Sequence, residues 1–291
     1  MRKNSVVKPF LKWAGGKRQL LPELRKYINE KSLKKCTYYE PFIGGGALLF
    51  ELQPTRAVIS DKNQELINCY QVVRDSLNDL IEELRKHQEK NSAEHFYETR
   101  DLDRSAKYKN LSKVKKAARI IYLNKTCYNG LFRVNSQGQF NVPFGRYKKP
   151  NILDEAVLKA VSKYLNKPQV KISKGDFAKA VKDAEKGDFI YFDPPYDPVS
   201  DTASFTGYDV NGFNRDEQIR LKEVFDELTG KGCKVILSNS RTDFIMDLYK
   251  DYQDKIKTVR AARSINSKAL KRGKVDEILV LNFSVETKIE E

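Results

Sequence analysis

The amino-acid sequence predicts an α/β fold, in which short buried strands alternate with helices around one mostly helical insertion. Apolar runs of strand length, each followed by a glycine turn or an acidic residue, occur before residue 67 and again after residue 150. Between them, residues 67–150 are highly charged and helical in character, without a clear strand. We therefore predict one domain built from residues 1–66 and 151–291, and a second domain from residues 67–150.

The clearest predicted strand runs from Phe189 to Phe192, and it ends at the Asp-Pro-Pro-Tyr turn of residues 193–196. Proline stops a strand because it lacks the N–H that would continue the ladder and because it restricts the residue before it. The turn therefore holds a carboxylate and an aromatic ring at the carboxyl end of a strand. Open α/β sheets bind their ligands at that edge.

Two interpretations of this turn remain open on its residues alone. It is a strand terminator with a turn-forming aspartate, or it is a site for a flat ring that carries an amino group. In the second case Asp193 and a proline carbonyl would accept hydrogen bonds from the amino group, and Tyr196 would stack on the ring.

A glycine turn follows another predicted strand near the start of the chain. Residues 37–42 are strand-like, Gly44 to Gly46 form the turn, and a helix begins at Ala47. Such a turn lets a ligand approach the backbone closely. The dinucleotide fingerprint would require glycine at position 49, where the chain has Leu49, so a plain turn between strand and helix is the alternative.

Acidic residues follow three of the predicted strands. Asp61 ends the strand at residues 55–61, Asp176 follows residues 170–173, and Asp193 follows Phe192. An acid at the end of a second strand holds ribose hydroxyls in nucleotide-binding folds, although Asp61 could instead cap the next helix. Three carboxylates at one edge of one sheet, together with the glycine turn, favour a site for a nucleoside-type cofactor.

Composition indicates the class of partner. The chain has 54 Lys and Arg against 39 Asp and Glu, a net charge of +15, which favours a polyanion such as nucleic acid. A basic but otherwise ordinary protein is the alternative.

The four cysteines are widely spaced, so we expect no metal site and no disulfide framework in a cytoplasmic protein. We expect His87 and His95 to face solvent, and we find neither a membrane-spanning run nor a signal peptide.

The end of the insertion has the composition of a DNA-reading element. Alternation around residues 135–138 predicts a β-hairpin. The surrounding residues 127–149 mix Arg, Asn, Gln and Tyr with apolar side chains and end in a basic run. Arginine reads guanine and Asn or Gln reads adenine in a groove, whereas apolar side chains can wedge between bases. A polar surface hairpin without a ligand is the alternative.

Four stretches together resemble one family. They are Phe-Leu-Lys-Trp-Ala-Gly-Gly-Lys at residues 10–17, Pro-Phe-Ile-Gly-Gly-Gly at residues 41–46, Asp61, and the Asp-Pro-Pro-Tyr turn. This set, in this order, resembles the Dam family of S-adenosylmethionine-dependent DNA adenine-N6 methyltransferases, in its α subgroup. Residues 129–133 and 140–145 further resemble the members that methylate adenine in GATC. The Gly-Gly-Lys at residues 15–17 is not a phosphate-binding loop, because Leu11 and Arg18 replace the residues that such a loop needs.

The resemblance implies a Rossmann-like methyltransferase sheet that binds S-adenosyl-L-methionine, with the insertion as a target-recognition domain carrying the hairpin. It implies a monomer that acts on double-stranded DNA by base flipping, with no metal and no membrane partner. It also implies a cytoplasmic protein, encoded by a bacterium or a phage, that works at the nucleoid. A companion restriction endonuclease, as in restriction-modification, is left open. The implied catalytic residues are Asp193, Pro194, Pro195 and Tyr196. The implied cofactor-binding residues are Trp13, Ala14, Gly15, Lys17, Pro41, Phe42, Gly44, Gly46, Asp61, Asp176, Phe177 and Asp193. The implied DNA-binding residues are Lys12, Tyr128, Asn129, Leu131, Arg133, Asn135, Pro143, Arg146, Lys268 and Arg272.

Within these sets, the resemblance implies that Asp61 holds the ribose hydroxyls, Asp176 the cofactor adenine, and Arg133 a guanine of the target. Residues 264–274 would follow phosphates. The alternatives are an RNA adenine-N6 methyltransferase, a DNA-binding protein without enzymatic activity, and an N4-cytosine methyltransferase. The last of these usually carries serine in place of Asp193.

Overall fold

A computed structural model of the 291-residue chain describes residues 3–13, 20–199, 213–262 and 274–284. Seven strands are present among them: β1 (Tyr38–Glu40), β2 (Ala57–Asp61), β3 (Val170–Lys174), β4 (Phe189–Phe192), β5 (Lys234–Ser240), β6 (Ile256–Ala262) and β7 (Lys274–Leu281). The α-helices are Leu21–Tyr27, Glu30–Leu33, Ala47–Leu52, Gln64–Asp75, Leu77–Glu89, Ala93–Asp101, Lys113–Thr126, Glu155–Leu165, Phe177–Ala180, Arg215–Gly230 and Asp243–Leu248. No helix within the described ranges is long and apolar enough to cross a membrane.

The strands form one mixed sheet in the order β3-β2-β1-β4-β5-β7-β6. β1 is parallel to both β2 and β4, and β4 is parallel to β5, whereas β7 is antiparallel to β5 and to β6. All four residues of β4 are buried, as expected of a central strand covered on both faces. The predicted α/β fold with a Rossmann-like sheet is therefore confirmed.

By its contacts, the chain divides into two compact units. The first unit comprises Met1–Gly16, Ile43–Gln53 and Ser60–Gly175, and the second comprises Lys17–Phe42, Pro54–Ile59 and Asp176–Glu291. The core of the first unit is helical: Gln64–Asp75 packs against both Lys113–Thr126 and Glu155–Leu165. The core of the second unit is formed by β4 and β5 against Arg215–Gly230.

Two local features differ from what the sequence indicates. His87 and His95, expected to face solvent, are partly buried: their rings approach within 2.9 Å (Nδ1 to Nε2), and both pack against Tyr122. Burial and, to a smaller extent, the neighbouring His95 lower the pKa of His87 to about 4. Strand β6 was not predicted, because its apolar and polar residues do not form the continuous run of a buried strand and it pairs only with β7.

Candidate functional site

The Asp193 carboxylate, in the second unit, directly follows the buried strand β4 and is held by a hydroxyl from strand β5. Ser238 Oγ donates a hydrogen bond of 2.8 Å to Asp193 Oδ1, and the Tyr191 hydroxyl lies 3.1 Å from Ser238 Oγ. Ser238 is fully buried and Tyr191 is almost so. One carboxylate oxygen is therefore fixed from the strand side, which orients the whole group.

Buried amides fix the backbone of the same turn. Gln218 donates to the Pro195 carbonyl at 2.8 Å, Asn239 donates to the Gln218 side-chain oxygen at 3.1 Å, and the Asp197 N–H donates to the Asn239 side-chain oxygen at 3.0 Å. Gln218 and Asn239 are fully buried, and buried amides joined in this way are costly to disrupt. The Pro195 carbonyl therefore already accepts a hydrogen bond from within the protein. Among the described residues the Pro194 carbonyl receives no hydrogen bond, so it is the remaining proline acceptor.

The Tyr196 ring, the aromatic group of the turn, is held at its hydroxyl. That hydroxyl donates to Glu277 Oε2 on β7 at 3.1 Å. Burial raises the pKa of Tyr196 well above its ordinary value, and the nearby charge of Asp193 adds to this effect. Tyr196 therefore stays a neutral phenol whose orientation is set by a strand partner.

Asp176, also in the second unit, follows β3 and is already engaged. Its Oδ1 accepts from the Ala178 N–H at the start of helix Phe177–Ala180. Arg220 binds both carboxylate oxygens, at 3.0 Å and 2.6 Å, and holds the pKa of Asp176 below its usual value. The Arg220 guanidinium also lies 4.1 Å from the centroid of the Phe177 ring. The Lys179 N–H is a further backbone donor to Asp176, so most of the acceptor sites of this carboxylate are occupied.

Phe42 and Phe177, both predicted to bind the cofactor, belong to an aromatic cluster of the second unit. Their rings stack at 5.5 Å between centroids, and Phe213 packs against both. Phe177 is buried, whereas Phe42 is partly exposed; Pro41, which precedes it, is buried. The sequence did not identify Arg220 or Phe213 as members of this group.

The glycine turn and Asp61 lie together in the first unit. The Gly44 N–H donates to Asp61 Oδ2 at 3.1 Å, and the Asn63 N–H donates to Asp61 Oδ1 at 2.9 Å. Asp61 is not a helix cap, because the side chain of Asn63 caps helix Gln64–Asp75 instead. Burial raises the pKa of Asp61, and these backbone N–H groups oppose that rise. With the Lys62 N–H as a third backbone donor, Asp61 keeps one acceptor site, which fits a ribose hydroxyl.

Gly46 is required by the geometry of this turn. Its φ is +70°, and a Cβ on it would lie 2.6 Å from the Tyr70 hydroxyl oxygen. That hydroxyl donates to the Gly44 carbonyl at 3.0 Å, so it cannot move away without loss of a hydrogen bond. The turn is thus held from both sides, by Asp61 and by Tyr70. Trp13 lies against it, with the indole Cδ1 3.1 Å from where a Cβ of Gly44 would be.

The predicted hairpin is confirmed as a tight turn with one bridge in its stem. Val134 and Phe140 form an antiparallel bridge, and the Asn135 N–H donates to the Gln139 carbonyl at 2.9 Å. The side chain of Asn135 accepts from the backbone N–H groups of Gln137 and Gln139. Asn135, predicted to bind DNA, therefore shapes the turn.

Most of the other predicted DNA-binding residues are exposed on the first unit. The exposed ones are Lys12, Tyr128, Asn129, Arg133, Pro143 and Arg146, whereas Leu131 is partly buried. Arg133 donates to the Asn141 side-chain oxygen at 2.7 Å and to the Asn141 carbonyl at 3.2 Å. Five predicted contacts lie outside the described residues: Ala14, Gly15, Lys17, Lys268 and Arg272. The segment predicted to follow phosphates, residues 264–274, also lies outside them, except for the backbone of Lys274.

The residues that support the Asp-Pro-Pro-Tyr turn were not predicted from the sequence. Ser238 and Asn239 could have been identified from the sequence, because they are polar residues at the carboxyl end of an otherwise apolar strand. Gln218 and Glu277 could not have been, since they lie within a charged helix and a mixed strand. No group of three or more potential metal ligands occurs among the residues that the structure describes, and all four cysteines are free.

Comparisons with known proteins agree with one another. The profile of the family described as D12 class N6 adenine-specific DNA methyltransferase matches residues 13–265. The chain is 48% identical to the Type II methyltransferase M1.LlaDCHI of Lactococcus lactis subsp. cremoris, over 97% of this chain and 98% of that protein. It is 45% identical to the Type II methyltransferase M.MjaIII of Methanocaldococcus jannaschii, over 95% and 99%. It is 34% identical to the DNA adenine methylase of Escherichia coli K12, over 97% and 96%.

Proposed function

We propose that this chain, which belongs to the D12 class N6 adenine-specific DNA methyltransferase family, methylates the adenine of GATC in double-stranded DNA. Family membership makes it a DNA adenine methyltransferase, and its methyl donor is S-adenosylmethionine. The observation that carries the chemical part of the proposal is the Asp193 carboxylate, fixed at the end of β4 by Ser238. The target sequence is supported by the resemblance of residues 129–133 and 140–145.

The proposed reaction requires the adenine to leave the DNA stack, since its N6 cannot otherwise enter a protein site. The Asp193 carboxylate and the Pro194 carbonyl would accept the two N6–H bonds. This favours a lone pair localised on nitrogen instead of delocalised into the ring. The Tyr196 ring, held at its hydroxyl by Glu277, would stack on the base.

The cofactor supplies a methyl group on a positively charged sulfur. The N6 lone pair would form the new N–C bond as the C–S bond breaks, and the electron pair of the C–S bond would stay on the sulfur. N6 then loses one proton, either to Asp193 or to water. No covalent intermediate with the protein is needed, so positioning of the two reactants by the turn supplies much of the rate.

The residues of the first unit fit the cofactor chemically. Asp61 would accept a ribose hydroxyl, and the Gly44–Gly46 turn would let the backbone approach it. The family resemblance implies that Trp13, Ala14, Gly15 and Lys17 also contact the cofactor. In the second unit, Asp176 would receive the adenine amino group, with Arg220 keeping the carboxylate ionised.

We further propose that residues 67–150 form the target-recognition domain and that residues 1–66 and 151–291 form the catalytic domain. The protein would act as a monomer in the cytoplasm of a bacterium or of a phage-infected cell, at the nucleoid. A companion restriction endonuclease is supported by the two relatives named as Type II methyltransferases.

The test is methyl transfer from labelled S-adenosylmethionine to unmethylated DNA and, separately, to RNA, with the modified positions mapped by sequencing. N6-methyladenine confined to GATC is the expected result. Methyladenine at another DNA sequence would contradict the proposed target, and transfer to RNA alone would contradict the proposed substrate.

A further inference from the structure

The side chain of Trp13 lies between two parts of the first unit that have different proposed roles. On one side is the glycine turn, where positions for a Cβ on Gly44 and Gly45 lie 3.1 Å and 3.4 Å from atoms of Trp13. On the other side is Phe132, whose ring stacks on the indole at 4.7 Å between centroids with 22° between the planes. One indole therefore contacts both the cofactor turn and the stem of the hairpin.

Asn124 fixes the backbone on both sides of this stack. It accepts from the Lys12 N–H at 2.8 Å, and its amide donates to the Lys12 carbonyl at 2.6 Å and to the Gly130 carbonyl at 3.0 Å. Asn124 is fully buried, so the loss of these bonds would leave unpaired polar groups in the interior. The segments that carry Trp13 and Phe132 are thus tied together at Lys12, one residue before Trp13, and at Gly130, two residues before Phe132.

A glycine permits the close approach of these two segments. Gly130 has a φ of +64°, and a Cβ on it would lie 2.4 Å from the Lys12 Cδ. Only glycine allows that spacing together with that backbone conformation. The same Cβ would lie 2.9 Å from the Lys12 Cβ, so the segment of Gly130 packs directly on the side chain of Lys12.

The far side of Phe132 is anchored as well. Its ring meets Phe140 edge to face at 5.8 Å, and Phe140 is buried. The Phe140 N–H donates to Asp103 at 2.8 Å, and Asp103 forms a buried ion pair with Arg119 at 2.6 Å. Movement of the Trp13 indole would therefore be passed to the stem that carries Leu131 and Arg133.

We propose that Phe132 is a positioning residue that couples cofactor binding to recognition of the DNA site through its stack on Trp13. This inference rests on the proposed function, because it takes the Gly44 turn and Asp61 as the cofactor side and Arg133 as the DNA side. Coupling between two ligands is reciprocal: each must change the affinity for the other by the same factor. We expect a factor in the usual range of about 5- to 150-fold for the wild type.

Binding measurements test this coupling without the methylation reaction. The dissociation constant of S-adenosylhomocysteine, which carries no methyl group to transfer, is measured by calorimetry with and without a saturating GATC duplex. The reverse measurement gives the duplex affinity with and without S-adenosylhomocysteine. The chain contains a single tryptophan, so its fluorescence reports the state of Trp13 in the same samples.

The decisive variants change only the aromatic ring at position 132. Phe132→Leu and Phe132→Met remove the ring and keep an apolar side chain, and we expect the coupling factor to fall to about 2-fold or less in either. Phe132→Tyr keeps the ring and should keep the wild-type factor. Tyr97→Leu is the matched control, because Tyr97 is an aromatic residue of the same unit that packs against Phe96 and not against Trp13.

The inference is overturned if the wild type shows no coupling, or if a folded Phe132→Leu or Phe132→Met variant keeps the wild-type factor. A reduced affinity for one ligand with an unchanged factor also overturns it, because this is what a merely structural role would give. A wild type that methylates a site other than GATC contradicts the proposed target alone, and the same measurements with that duplex then decide the role of Phe132.

Discussion

Replacement of Ser238 by alanine should slow methyl transfer strongly, because the Ser238 hydroxyl is the group on β5 that orients the Asp193 carboxylate. The hydrogen bond is 2.8 Å long and its donor is fully buried. Hydrogen bonds to charged groups contribute roughly 1.5–3 kcal/mol. If that contribution is made in the transition state, the rate constant should fall by about 10- to 150-fold, since about 1.4 kcal/mol corresponds to a factor of ten.

The same substitution should also destabilise the fold. The Tyr191 hydroxyl, 3.1 Å from Ser238 Oγ, would lose its partner in the interior, which costs about 1–3 kcal/mol of unfolding free energy. Tyr191→Phe separates the two effects, because it keeps the bond between Ser238 and Asp193 and removes the phenol. We expect Tyr191→Phe to retain most of the rate, and Ser238→Thr to retain more of it than Ser238→Ala.

The assay is a single-turnover measurement of methyl transfer at saturating cofactor and duplex, alongside chemical denaturation of each variant. The expected result is a lower rate constant for Ser238→Ala with a nearly unchanged duplex affinity. A folded Ser238→Ala protein with the wild-type rate constant would refute the positioning role of Ser238. Equal losses of rate in Ser238→Ala and Tyr191→Phe would show that the general packing of β4 and β5 matters instead.

Three further predictions concern other parts of the molecule. Arg133→Ala should relax discrimination at one guanine of the target by ~1–3 kcal/mol, measured as relative methylation of sites with single-base changes; unchanged selectivity would remove Arg133 from that role. Gly46→Ala should destabilise the protein more than Gly138→Ala in denaturation curves. Both positions have positive φ, but only at position 46 would the new Cβ meet an atom, the Tyr70 hydroxyl. Because burial lowers the folded-state pKa of His87 from 6.5 to about 4, its contribution to stability is full above pH 6.5 and is lost as the pH falls through 4. This contribution is roughly 3 kcal/mol at most; it should be absent from the pH–stability curve of His87→Gln and should appear in the difference between the wild-type and variant curves.

The parts of the fold that could be predicted from sequence are those whose signal lies in a few consecutive residues. Strand β4 was predictable because four apolar residues precede two prolines, and the glycine turn because Gly44 to Gly46 stand between a strand and a helix. Strand β6 was not predictable, because an edge strand paired on one side needs no continuous apolar run. The histidines were misjudged because their burial comes from Tyr122, on another helix.

The support of the candidate site could not be predicted, because it is made by residues distant in sequence. Ser238 lies 45 positions from Asp193, and Arg220 lies 44 positions from Asp176. These pairs exist only once helix Arg215–Gly230 and strand β5 pack beside the turns. Sequence spacing identifies which carboxylates stand at strand ends, whereas packing decides which hydrogen bonds each carboxylate has left for a ligand.

The central claim is that the Asp193 carboxylate accepts the amino group of a flipped adenine, and Asp193→Ala tests it most directly. Asp247→Ala is the matched control, because Asp247 is a largely exposed acid of the same unit that, among the described residues, forms an ion pair only with Lys250. At saturating cofactor and with equal duplex affinity, we predict that Asp193→Ala lowers the single-turnover rate constant by about 10²- to 10⁴-fold and that Asp247→Ala does not lower it. A folded Asp193→Ala protein that methylates DNA at the wild-type rate would contradict the account.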